Sequence, residues 1–196
     1  VTSTMDIARR LETLGAAEGT TIGAASQSSG RGRSNRPWAS PPGTGLYCSI
    51  LLRPQISPDR FRPFSIAAGL ALCEALDPDR SLGLQLKWPN DILYRNRKLA
   101  GILITSSLTG PIVGSAILGI GINLQPDSSR PETAVSLAEI DTSPRLPFPQ
   151  DSIGPILRSL ATRYSDICAS QSSAISDWTG RLAYRDQPVV LQDGNT

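Results

Sequence analysis

An arginine- and glycine-rich segment near the start of the chain is the first place where residue types and spacing point to chemistry. Residues 30–38 read GRGRSNRPW, which sets three arginines among small, turn-forming residues. Glycine lets successive backbone N–H groups turn toward one point, and guanidinium groups bind carboxylate or phosphate oxygens two at a time. The segment therefore predicts an anion-binding loop that Trp38 shields. A mobile basic surface loop, or one that contacts single-stranded nucleic acid, would have the same composition.

The lysines form the second candidate. Of the 19 lysines and arginines, only Lys87 and Lys98 are lysines. A lysine kept in so arginine-rich a chain indicates a site that needs a compact ammonium group. Asn90 and Asp91 lie between the two lysines and could orient phosphates or a Mg²⁺ ion, although turn formation alone would also account for them.

The third candidate is the apolar run that ends in GIGIN at 119–123. It has two glycines of a dinucleotide-binding fingerprint but lacks the third, and the chain contains no P-loop motif. Glycines in a buried strand instead predict the close approach of another backbone or of a flat ligand.

Several absences narrow the class of protein. The chain contains no histidine, which excludes Ser-His-Asp and Cys-His catalysis and zinc held by histidine. Its three scattered cysteines, Cys48, Cys73 and Cys168, indicate a reducing compartment and form no metal motif. A net charge of +2 argues against a dedicated duplex-DNA binder. No apolar run is long enough to span a membrane and no signal peptide is visible, so we expect a cytoplasmic protein.

The hydrophobic pattern predicts an α+β domain in which helices flank a mixed β-sheet. A length of 196 residues suits one full domain and a remnant. We expect helices at 3–14, 58–76, 153–168 and 175–182, with the second delayed by Pro63. Strands are expected at 20–26, 46–53, 82–88, 92–94, 99–105 and 112–123.

Four motifs in order along the chain resemble the biotin-protein ligase family. They are GRGRSNRPW (30–38), KWPND (87–91), KLAGIL (98–103) and GIGIN (119–123). The resemblance implies the biotin/lipoate ligase, class II synthetase-like catalytic fold. It also implies an ATP-dependent, Mg²⁺-requiring ligase that makes biotinyl-5′-AMP and transfers the biotinyl group to a lysine of a biotin carboxyl carrier protein. The resemblance is compatible with a homodimer. We expect the protein to bind neither DNA nor a membrane.

The resemblance also assigns roles to residues. Lys98 and Arg33 would be catalytic, with Lys98 bridging the biotin carboxyl group and the α-phosphate. Mg²⁺ would be bound through ATP near Asn90, without histidine or cysteine ligands. The biotin-binding residues would be Ser3, Thr4, Met5, Gln27, Gly30, Arg31, Gly32, Arg33, Lys98, Gly101, Gly119 and Gly121, with the two last giving the ureido ring room. The ATP- and adenylate-binding residues would be Arg31, Arg33, Arg36, Trp38, Asn90, Asp91, Lys98 and Asn123.

Three positions depart from the family pattern: Met5 stands for an asparagine, Ala25 for an acidic residue and Asn35 for the second loop glycine. Asparagine tolerates left-handed backbone angles, so the bend at Asn35 is expected to survive. The resemblance implies a catalytic domain at 1–183 and the start of a truncated SH3-like domain at 184–196, with its first strand at 188–192.

Other functions remain open at this point. A lipoate or octanoate ligase has the same fold, although the GRGR motif belongs to the biotin branch. A catalytically weak fragment and a single-strand RNA-binding module are the remaining alternatives.

Overall fold

A six-stranded antiparallel sheet forms the centre of the molecule. The computed structural model describes residues 1–141 and 149–188. The strand order is β1-β2-β6-β5-β4-β3, and all five pairings between neighbouring strands are antiparallel. The strands are β1 (Thr21–Ala24), β2 (Gly45–Leu52), β3 (Gln85–Lys87), β4 (Asp91–Tyr94), β5 (Arg97–Thr109) and β6 (Ile112–Asn123).

The α+β class is confirmed, and the expected mixed sheet is corrected to an antiparallel one. The turns that join β3 to β4, β4 to β5 and β5 to β6 are too short for the crossover connection that parallel neighbours require. The helices are α1 (Thr4–Thr13), α2 (Pro58–Phe61), α3 (Phe64–Leu76), α4 (Leu137–Ile140), α5 (Pro149–Cys168) and α6 (Ala174–Thr179). The predicted interruption at Pro63 is the break between α2 and α3.

The sheet separates two apolar layers. On one face, α3 packs against the sheet and α5, and six of its nine buried residues are alanine or leucine. On the other face, α1 covers a smaller cluster formed by Met5, Ala8, Leu51 and Ile117. Strand β2 is buried along its whole length, which explains why its sequence reads as a continuous apolar run. The start of α1 therefore lies directly over the middle of the sheet.

The last described residues are attached to the outer strand of the sheet. Leu182 forms a parallel bridge with Leu86 of β3, and Arg181 makes a buried ion pair with Asp77 at the end of α3. The predicted strand at 188–192 lies outside the described residues, apart from Pro188. No helix among the described residues is long and apolar enough to cross a membrane.

Candidate functional site

A cleft of about 520 Å³ opens on the α1 side of the sheet. The start of α1, the arginine-rich segment, the KWPND turn and the glycine-bearing parts of β5 and β6 form its walls. Predicted site residues in the lining are Ser3, Thr4, Met5, Gln27, Arg31, Gly32, Arg33, Arg36, Trp38, Asn90, Asp91, Lys98, Gly101, Gly119 and Gly121. Five separate segments of the sequence therefore meet in one place.

Residues 30–38, called the arginine hairpin below, form a narrow β-hairpin. The backbone N–H of Trp38 donates to the carbonyl of Gly30 at 2.9 Å, and that of Gly32 donates to the carbonyl of Arg36 at 2.8 Å. At its tip, Ser34 and Asn35 adopt left-handed angles, with φ of 52° and 57°. The bend expected at Asn35 is therefore present.

The indole of Trp38 lies on a bare patch of the sheet. Gly101 of β5 and Gly121 of β6 are directly opposite each other in the ladder. A Cβ atom on Gly121 would lie 2.5 Å from Trp38 Nε1, so only glycine leaves room for the ring. The flat group expected to approach these glycines is therefore a side chain of the protein itself. Trp38 Nε1 is buried without a hydrogen-bond partner.

The ammonium of Lys98 meets the arginine hairpin at this patch. Lys98 Nζ lies 5.1 Å from the centre of the Trp38 ring and 2.7 Å from Asp91 Oδ1. The backbone of Lys98 is fixed as well, because its N–H donates to the carbonyl of Thr133 at 2.7 Å and its carbonyl accepts from Val135 at 3.0 Å. Lys98 and the arginine hairpin thus converge on one part of the cleft.

Two predicted site residues lie outside the cleft lining. The Asn123 side chain is buried and donates to the carbonyls of Lys98 and Val135 at 3.2 and 3.1 Å, so it supports the backbone that carries the lysine. Gly30 packs beside Ser40, since a Cβ atom on Gly30 would lie 2.7 Å from Ser40 Oγ. Direct ligand contacts by these two residues stay predictions.

The arginines of the hairpin point in different directions. Arg33 donates to Asn90 Oδ1 at 3.3 Å, which connects the hairpin to the KWPND turn. Asn90 is held in turn because its Nδ2 donates to the carbonyl of Ile102 at 2.9 Å. Arg31 forms a 2.8 Å ion pair with Asp6 in the first turn of α1. Sequence reasoning missed Asp6, whose acidic side chain at a helix start has an ordinary local explanation.

The polar end of the cleft lies under the start of α1. Ser3 caps the helix by accepting from the Met5 N–H at 3.3 Å, and Gln27 Oε1 accepts from the Thr4 N–H at 2.8 Å. Met5 covers Gly119, since a Cβ atom there would lie 2.6 Å from the Met5 sulfur. The space expected over Gly119 is therefore occupied by a flexible thioether.

Cys48 also lines the cleft, although it belongs to none of the sequence motifs that predicted the site. Its burial raises the pKa of the thiol to about 12. The thiol consequently stays protonated at neutral pH and is a poor nucleophile. No cluster of three or more histidine, cysteine or acidic residues occurs in the described part of the chain. The polar chemistry of the cleft comes from cations, amides, hydroxyls and the Asp91 carboxylate.

The fold and cleft define an α+β domain with an arginine- and lysine-bearing cleft on one face of an antiparallel sheet. The model of the biotin/lipoate A/B protein ligase family matches residues 1–123, and the chain belongs to that family. A protein named biotin–acetyl-CoA-carboxylase ligase from Paracoccus denitrificans is 38% identical over 175 residues, which cover 86% of this chain and 72% of that protein.

Other relatives match over a smaller share of their length. A bifunctional ligase/repressor BirA from Bacillus spizizenii is 36% identical over 128 residues, which are 65% of this chain and 39% of that protein. The chain thus matches well under half of that relative. Among solved structures, the Aquifex aeolicus biotin protein ligase in complex with biotin and ATP is similar, with a TM-score of 0.75 and 28% identity. The alignment covers 93% of this chain and 75% of that chain.

Proposed function

We propose that the chain is an ATP-dependent ligase that activates biotin as biotinyl-5′-AMP and transfers the biotinyl group to a lysine of a biotin carboxyl carrier domain. The observation that carries the proposal is the meeting of Lys98 with the arginine hairpin in a cleft whose other end is polar and uncharged. One end suits a pair of anions, and the other suits a neutral, hydrogen-bonding ring.

In the first step, a carboxylate oxygen of biotin attacks the α-phosphorus of ATP and pyrophosphate leaves. Two anions must approach each other, and their repulsion has to be offset by cations held in place beforehand. Lys98 is positioned by Asp91 at 2.7 Å, and Arg33 by Asn90 at 3.3 Å. Lys98 would contact the reacting carboxylate and α-phosphate, and Arg33 and Arg36 the phosphate oxygens.

In the second step, the amine of the carrier lysine attacks the acyl carbon of the adenylate and AMP leaves. The same cations stabilise the departing phosphate. No side chain of the enzyme needs to form a covalent bond to the biotinyl group. Trp88, which is 64% exposed at the rim of the cleft, lies where the carrier must approach. A large exposed aromatic side chain suits a protein interface.

The residues fit Mg²⁺ that arrives with ATP. Asn90 Oδ1 and the Asp91 carboxylate supply oxygen atoms beside the phosphate-binding arginines, and Mg²⁺ is commonly held by one or two such groups together with substrate phosphates. When bound, the ion would neutralise phosphate charge. We also infer a cytoplasmic location, a catalytic domain over 1–183 and a further domain that begins near 184.

The polar end of the cleft favours biotin over lipoate. Ser3, Thr4 and Gln27 offer hydrogen bonds that a ureido ring satisfies, whereas a dithiolane ring would leave these buried groups unpaired. An RNA-binding role has less support, because stacking of successive bases requires several accessible aromatic faces. The Trp38 indole lies against the sheet, and Trp88 is the one tryptophan in the cleft lining that is exposed.

The test is to incubate the chain with labelled biotin, ATP, Mg²⁺ and a biotin carboxyl carrier domain, and to follow label on the carrier. We expect label that depends on ATP and on the carrier lysine. A thermal shift with biotin and Mg·ATP, but none with lipoate, is expected alongside it. Absence of label together with a shift by lipoate would overturn the proposal.

A further inference from the structure

A chain of hydrogen bonds runs beneath the cleft from the sheet to the arginine hairpin. Ser49 Oγ of β2 lies 2.8 Å from Thr4 Oγ1, which lies 3.2 Å from Gln27 Oε1. Gln27 Nε2 lies 2.8 Å from Ser40 Oγ, which lies 3.1 Å from the carbonyl oxygen of Trp38. Ser49 and Ser40 are 0% and 5% exposed, so bulk water does not compete for these bonds.

Two backbone groups fix the direction of every bond in this chain. The Thr4 N–H can only donate, and it donates to Gln27 Oε1 at 2.8 Å. The Gln27 oxygen therefore faces Thr4, and its nitrogen must donate to Ser40. The Trp38 carbonyl can only accept, so Ser40 donates to it. By the same reasoning the Thr4 hydroxyl donates to Gln27, and Ser49 donates to Thr4.

The groups that remain for a ligand follow from this arrangement. Gln27 has both acceptor positions filled and keeps one N–H, while the Thr4 hydroxyl keeps one lone pair. Ser3 accepts from Met5 and keeps its O–H. The cleft thus presents two donors and one acceptor. A cyclic urea is complementary, because its carbonyl accepts and its N–H donates.

We propose that Ser40 and Ser49 are positioning residues that hold the Gln27 amide and the Thr4 hydroxyl in the orientation that the two backbone groups set, and that they so help select the head group of the ligand. The inference rests on the proposed function, since the head group is the ureido ring of biotin. Ser40 has a second effect because it joins Gln27 to the Trp38 carbonyl at the base of the arginine hairpin. This hydroxyl couples head-group binding to hairpin position, in addition to the backbone bond in which the Gln27 N–H donates to the Ser40 carbonyl at 3.0 Å.

The experiment compares Kd for biotin with Kd for its isosteric imino analogue, in wild type and in Ser40→Ala. The analogue carries a protonated imino group where biotin has its ureido oxygen, and it offers only donors there. Wild type should strongly prefer biotin. In Ser40→Ala the Gln27 amide keeps its bond from the Thr4 N–H but loses the anchor at its nitrogen. The amide is then less firmly oriented, so the preference should shrink by about tenfold, as expected for the loss of one or two hydrogen bonds.

Ser115→Ala is the matched control, because it also removes a buried hydroxyl that donates to a side chain, that of Glu12, outside the cleft. It should leave the ratio of the two Kd values unchanged. If Ser40→Ala leaves the ratio of the two Kd values unchanged, whether both ligands bind as in wild type or both are weakened equally, the inference is overturned and the proposed function stands. Failure of wild type to bind biotin would instead overturn the proposed function.

A measurement on the wild-type chain covers the case in which Ser40→Ala fails to fold. In NMR spectra, one carboxamide hydrogen of Gln27 should be protected from exchange by Ser40, and the other should shift when biotin is added. Equal, fast exchange of both hydrogens would overturn the inference.

Discussion

Individual cations of the cleft are held by neutral or acidic neighbours. Lys98 is paired with Asp91, and Arg33 is hydrogen-bonded to Asn90. Such prior positioning matters because a cation that is already oriented requires little reorganisation when charge develops. Asp91 thus orients the ammonium of Lys98, and its contact with Mg²⁺ stays a proposal.

Replacing Lys98 with alanine should reduce adenylate formation by on the order of 10²- to 10³-fold, as when one preorganised donor is removed from an active site. Pyrophosphate release in the presence of biotin and ATP measures this step. Lys87→Ala is the comparison, since Lys87 lies at the rim and stacks on Tyr184 at 5.7 Å. A Lys98→Ala rate equal to that of wild type would contradict the catalytic assignment.

The glycine patch under Trp38 gives a second prediction. In Gly121→Ala, the new methyl group would overlap the indole, so Trp38 must move. Overpacking of this kind costs about 1–3 kcal/mol of stability. Gly23→Ala is the control on the same sheet, since a Cβ atom there meets nothing within 4 Å. Urea unfolding and tryptophan fluorescence would measure both variants, and equal stabilities would show that the ring does not depend on the patch.

At the scale of elements, local sequence patterns predicted most helices and strands but few of the tertiary contacts between them. Proline chemistry placed the break at Pro63, and the apolar run placed β6. Nothing in the local pattern predicted that Met5 would cover Gly119, or that Ser49 would reach Thr4 across 45 positions. Those contacts depend on how α1 crosses the sheet. The four sequence motifs nevertheless contain most of the residues that line the cleft, because the loops and strands that carry these motifs meet there.

The helices on the far face are joined by Arg163 of α5, which pairs with Glu74 of α3 and Asp177 of α6. Arg163→Met should lower stability by about 1–3 kcal/mol, because two acidic groups lose their shared cation. Hydrogen bonds from Ser173 and then from Arg163 lower the pKa of Asp177 below its ordinary 3.8.

This stabilisation is therefore present above pH 3.8 and is lost as the pH falls through the lower folded-state pKa of Asp177. The difference in unfolding free energy between wild type and Arg163→Met should shrink in acid. Urea unfolding at neutral pH and at the acid end measures it. Arg158→Met on the exposed side of α5 should change little at either pH. A difference that grows in acid would contradict the assignment.

Across the whole molecule, the last described residues support one wall of the cleft. The backbone N–H of Leu86 donates to the carbonyl of Arg181 at 2.7 Å, and that of Ala183 donates to the carbonyl of Leu86 at 2.9 Å. Residues 181–183 thus act as a further strand beside β3, whose final residue, Lys87, lines the cleft. Packing at the sheet edge is thereby connected to the end of the cleft at which we propose that ATP binds.

The buried pair between Arg181 and Asp77, 3.1 Å apart, should therefore affect both stability and binding. Arg181→Met leaves the fully buried Asp77 carboxylate without its cation, which should cost about 3 kcal/mol in urea unfolding. Hydrogen exchange at the Leu86 and Ala183 amides should accelerate, and ATP should bind more weakly because the turn after β3, which carries Asn90 and Asp91, is less well held. Arg185→Met removes an exposed pair and should change neither property. Unaltered hydrogen exchange at the Leu86 amide in Arg181→Met would contradict the proposed coupling between the edge of the sheet and the cleft.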